Sequence, residues 1–263
     1  MITDTGVTGN STLPRSDAGE ASELKALNLD WNGFRERVSR LQARRFLFRG
    51  QERPWRLRTN FHRRGRADLL RFRMEDIPSL YRHLSGKTKQ RFNLLIPDEL
   101  GAFLNRAQHH GYPTPLLDWT YSPYVAAFFA YQHITNAASG SAGENEKVRI
   151  FMLDQEAWRN AWEPLLFLEF PRLHVTVGDF LAFENERLIP QQAASVVTNV
   201  DDIEWYISSR ETDTKKYLQA IDLPVLQRKE VICDLDRMGI TAGSLFPGLD
   251  GACEELRERN FAI

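Results

Sequence analysis

Apolar residues recur at steps of three and four over Trp31, Phe34, Val38 and Leu41, which predicts a short amphipathic helix. FLFRGQ follows (46–51), strand-like through Phe46, Leu47 and Phe48 before it delivers Arg49 and Gly50. Leu70, Met74, Ile77, Tyr81 and Leu84 again keep helical spacing, with Pro78 expected to kink or divide that helix. A further helix is predicted from Asp98 to about His110, stopped by Gly111. Ser122 and Pro123 form a helix start, a cap followed by a proline in the first turn. Behind them Val125, Ala126, Phe128, Phe129 and Ala130 are apolar nearly all round, so that helix is expected to be buried.

The second half reads differently. Strands are predicted over 148–153, 172–177, 187–189, 195–200 and 217–223, and the Gly/Ser/Asn-rich stretch 136–146 reads as an exposed loop. Leu226 to Met238 reads as a helix stopped by Gly239, and the chain is helical again near its end. The order of elements argues an α+β fold, with a helical N-terminal half packed on one central mixed or antiparallel sheet.

With 263 residues and 42% hydrophobic content, the chain can bury a substantial core, read as a single domain over 24–263 behind a flexible polar tail, 1–23. The tail lacks the profile of a signal peptide, and no apolar run nears the roughly 20 residues that span a bilayer. No membrane association is expected, and the expected compartment is the cytoplasm. Cys233 and Cys253 read as buried reduced thiols, and neither cysteines nor histidines show metal-ligand spacing, so no metal is expected.

A net charge of −1 conceals an asymmetry: residues 35–92 hold eighteen Lys/Arg against five Asp/Glu, while 93–263 carry −11. Such a block suits a nucleic acid or another polyanion, with Trp55, Phe61 and Phe72 available to stack bases. It suits equally an arginine-rich surface facing the acidic half of the same fold.

Single residues carry modest chemistry. Arg49 ends a strand, where a guanidinium is solvated, ion-paired or aimed at a planar anion. Gln108, His109 and His110 end a helix, where imidazoles favour the carbonyl-rich terminus. Asp118 lies between Leu117 and Trp119 and needs donors from Arg, Thr or backbone; Thr120 and Ser122 read as turn and cap residues.

FLFRGQ, followed by QHHGYPTPLLDWTYSPYVAAFFA (108–130), NERLIPQQ (185–192) and RKEVICDLDRMGITAGSLFPGLDG (228–251), resembles the FRG domain family over about residues 30–252. Pro115 departs from that pattern, which carries arginine there; a contact made by that arginine must be lost or supplied from elsewhere. The family's layout resembles the ADP-ribosyltransferase fold. That likeness implies NAD held by Arg49, with Thr120 or Ser122 as the hydroxyl before the buried helix, and Glu184 or Glu186 as the late carboxylate. Gln191 is the alternative occupant of that last position. The implied NAD-binding set is Arg49, Gly50, Gln108, His109, Asp118, Ser122 and Gln191, with Gly50 letting ligand or neighbouring backbone approach closely. The implied function is an intracellular NAD-dependent transferase or NAD-consuming effector of a bacterial defence or toxin system. The alternative is a nucleotide or nucleic-acid binding module without turnover.

Overall fold

The computed structural model describes residues 20–89, 91–162, 164, 172–178 and 186–261. Seven strands form one mixed sheet: β1 (Ala26–Asn28), β2 (Phe46–Gln51), β3 (Leu116–Thr120), β4 (Lys147–Asp154), β5 (Val175–Gly178), β6 (Ala193–Thr198) and β7 (Leu218–Pro224). Their order is β1-β7-β4-β2-β3-β6-β5. Among the described residues only β1 and β7 pair in parallel; the other ladders are antiparallel. The architecture is therefore α+β around one mixed sheet, as the element order predicts. Two strands of the helix-rich first half, β2 and β3, nevertheless lie at its centre.

The central strand β4 is apolar on both faces because both are covered. Val148, Ile150 and Met152 pack with Trp31, Phe34, Val125, Ala126 and Leu235 from three helices on one side. Phe151 and Leu153 pack with Leu47, Trp119, Trp158 and Ile207 on the other. Arg149, on the second face, is buried beside its direct cross-strand neighbour Asp222 and donates two hydrogen bonds to it, at 2.7 and 2.8 Å. A third cluster joins Phe61, Phe72 and Phe103 to Leu116 of β3.

The helix Pro123–Tyr131 crosses β2 at Gly50, where an added Cβ would lie 1.9 Å from the carbonyl oxygen of Ala126. Gly50 is thus required by neighbouring backbone rather than by ligand approach. The helix is not broken at Pro78: the π-helical turn Phe72–Asp76 runs with right-handed helical backbone into Ile77–Ser85, and Pro78 sits in the first turn of the latter, where an amide is not needed.

Several expectations are corrected. Residues 187–189 lie in a turn rather than a strand: Gln191 N–H donates to Arg187 O, and Gln192 takes a positive φ of 46°. The stretch 136–146 contains the helix Asn136–Gly140, capped by Thr135, because Ser139 is buried and bonds Val225 O. Cys233 and Cys253 are both exposed, since their helices turn other faces inward. Residues 1–19 of the expected tail lie outside the described residues, whereas the segment 20–23, though mostly exposed, is hydrogen-bonded to the fold. Ala21 bridges Trp55, and Ser22 Oγ donates to Glu204 at 2.6 Å. No helix among the described residues is long and apolar enough to cross a membrane.

Candidate functional site

β2 and β3 share one ladder pair, Phe48 with Thr120, and then part. Arg49, the next residue, sends Nη1 across the parting to the main-chain carbonyl oxygen of Asp118 at 2.6 Å. The guanidinium takes the carbonyl that a ladder amide would have used. A cavity of about 530 Å³ opens there. Arg49, Gly50, Gln108, His109, Asp118, Thr120 and Gln191 all line it, so residues from segments 58 or more positions apart converge.

Each is held by a specific partner. Thr114 Oγ1 donates to Gln108 Oε1, and Gln108 Nε2 donates in turn to Asp118 Oδ1 at 2.6 Å. This relay gives Asp118 a donor although position 115 is a buried proline. The crowded setting pushes the Asp118 carboxyl above its usual range, against the pull of Arg49 and the Gln108 hydrogen bond. The Arg49 guanidinium is pushed down to about 10 by burial and then by the neighbouring charge of Arg63, which leaves it cationic at neutral pH. Burial, then Arg187, His110 and Arg106, lower His109, which favours a neutral imidazole.

Arg49 Nε and Trp119 Nε1 are buried with no hydrogen-bond partner. An arginine that uses one donor on the protein and strands another is underused for so costly a group.

Thr120 and Ser122 behave as structural residues. Thr120 Oγ1 donates to Gln191 O at 2.7 Å and accepts from Ser122 N, while Ser122 Oγ caps the helix at Val125 N. Gln191 Nε2 donates to Leu245 O at 3.0 Å, which ties the far wall to the C-terminal part. Glu186 is exposed and does not line the cavity, and Glu184 lies outside the described residues. Among the described residues the carboxylates that line it are Asp118 and Glu52.

Sequence reasoning did not single out Glu52, Arg63, Asn105 or Ser195, which also line the cavity. Glu52 directly follows FRGQ and could have been found there. Asn105 and Ser195 meet at 3.1 Å only because a helix and β6 pack together. Among the described residues no group of three or more His, Cys, Asp or Glu is arranged to hold a metal ion.

Part of the basic block faces its own fold, although most of its Lys/Arg residues are exposed. Arg35, Arg45, Arg56 and Arg58 pair with Asp234, Asp154, Asp202 and Asp201 of the acidic half. Phe61 and Phe72 pack on one another at 5.1 Å in the core, so neither is available to stack bases, whereas Trp55 lines the cavity.

No curated protein and no solved structure matches the chain. The FRG domain model matches residues 44–139, a narrower span than the quoted motifs cover. That span, similar to the FRG domain, carries Arg49, the Thr114–Gln108–Asp118 relay and the helix over Gly50.

Proposed function

We propose that the cavity at the β2–β3 parting binds NAD and that the chain acts as an ADP-ribosyltransferase-like, NAD-consuming protein. The observation that carries this reading is Arg49: a cationic guanidinium at the cavity that spends a single hydrogen bond on the protein and holds a buried, partnerless Nε. A planar fork of that kind suits a pyrophosphate better than an ammonium does. The cavity's volume falls in the range that takes cofactor-sized ligands. Trp55 and Phe129, both partly exposed, offer flat apolar surface for a base.

Cleavage of the nicotinamide–ribose bond develops positive charge on the ribose, which a nearby carboxylate stabilises. Asp118 and Glu52, rather than Glu186, are the described carboxylates in position for that role. Asp118 is fixed by Gln108 and is the better oriented of the two. The bacterial defence or toxin setting rests on the family resemblance alone.

A non-catalytic nucleotide-binding module is the second reading, favoured by the position of Glu186 outside the cavity. Nucleic-acid binding through 35–92 has less support, because four of its arginines are paired to the acidic half.

Incubation with NAD, following free nicotinamide and NAD affinity together, separates the readings. Asp118→Asn is expected to retain binding and lower turnover at least about 100-fold, as for a contact made mainly in the transition state. Binding without turnover in the wild type leaves the module reading, and absence of both refutes the proposal.

A further inference from the structure

A second cavity, of about 800 Å³, lies behind the first, with Phe129, Arg187 and Phe246 among the residues that line both. Its apolar surface comes from Phe128, Phe129, Ile232, Ile240 and Phe246. Arg228 lines the same cavity although it is only 1% exposed. Its Nη1 donates to Asn136 Oδ1 at 2.6 Å, and its Nη2 reaches both carboxylate oxygens of Glu258 at 2.8 Å.

Glu258 belongs to the helix Leu249–Phe261, which buries Gly251 and leaves Leu249, Leu256 and Phe261 exposed. That helix is held near its start by Gly251 against Phe246 O and by Glu255 accepting from Thr241 Oγ1 at 2.6 Å. Toward its end, Glu258 on Arg228 is the tie. Glu254 and Glu255, also at the cavity, are balanced by Arg257 and Arg259 of the same helix.

A buried guanidinium beside an aromatic cavity must be given an anion, and here a loosely packed helix supplies one. We propose that this cavity is a binding site for a small carboxylic acid with an apolar body. The ligand's carboxylate replaces Glu258 on Arg228, its body lies on the Phe128, Phe129 and Phe246 surface, and the end of the helix moves aside. Glu258 is then an internal competitor, and this sets the sign of the test.

The matched pair 4-phenylbutyrate and 4-phenylbutan-1-ol, titrated calorimetrically into the full chain, probes the site. The carboxylate is expected to bind at least about tenfold tighter than the alcohol, the scale of a charge-assisted contact. Glu258→Gln is expected to raise carboxylate affinity severalfold and leave the alcohol unchanged. Arg228→Met is expected to erase the discrimination; should that variant not fold, the Glu258→Gln comparison decides alone. Carboxylate affinity unchanged or weakened in Glu258→Gln, equal binding of the two compounds, or no carboxylate binding to either protein overturns the proposal.

Discussion

Arg49 is joined to Asp118 through the backbone, not through an ion pair: its Nη1 meets the Asp118 carbonyl oxygen at 2.6 Å, while the carboxylate is held by Gln108. One arginine therefore closes the end of the β2–β3 ladder and leaves the aspartate side chain at the cavity. The two charges attract without being spent on each other, an arrangement that suits a site awaiting a ligand.

Asp118 should cost stability. Its carboxyl faces the open cavity but is crowded enough by its neighbours for desolvation to raise its pKa, so its favourable contribution is present below the ordinary aspartate pKa and is lost as pH rises through the folded value. Asp118→Asn is therefore expected to melt no lower than wild type at pH 7, and higher if the penalty is uncompensated. That advantage should shrink toward pH 4. Melting curves across pH check this, and a marked loss at pH 7 would show the carboxylate to be structural.

Gly50→Ala is expected to be severely destabilising. The new Cβ would sit 1.9 Å from Ala126 O and 2.8 Å from Ala130 N, both backbone atoms of the crossing helix, so strand and helix must separate. Overpacking alone costs about 1–3 kcal/mol, and a backbone clash of this closeness should reach or exceed the top of that range. Urea unfolding measures it; a change under about 0.5 kcal/mol, the scale of a neutral surface substitution, would show that the helix does not cross there.

His174 gives the fold an acid limit. It is buried, its Nε2 has no partner, and burial lowers its pKa to about 4. A lowered histidine pKa contributes stability above the unfolded value near 6.5 that is lost as pH falls toward the folded value. That loss amounts to about 3 kcal/mol by pH 4. His174→Phe is expected to flatten the fall in melting temperature between pH 6.5 and 4, and an equal slope in both proteins would remove His174 as its source.

The parts legible in the sequence were those with local signals. The buried helix after Ser122 was readable because it is apolar all round, and FLFRGQ because its apolar run ends abruptly in a charge. Convergence of Arg49, Gln108, His109, Asp118 and Thr120 followed from polar residues set among apolar ones. What stayed hidden depends on distant contacts. Ser139 looks like loop sequence until Val225 O takes its hydroxyl, and Gly50 is ambiguous until the helix lies on it. The exposure of Cys233 was readable after all: Val231 and Leu235, four apart, mark the buried face, and Cys233 is two residues from each.

The most direct test of the account is the affinity of wild type and Arg49→Ala for NAD, titrated at a temperature where circular dichroism shows both folded. The account predicts that wild type binds and that the variant loses about 1.5–3 kcal/mol, the worth of a charge-assisted hydrogen bond. Equal affinity in the two folded proteins, or no NAD binding by wild type, would contradict it.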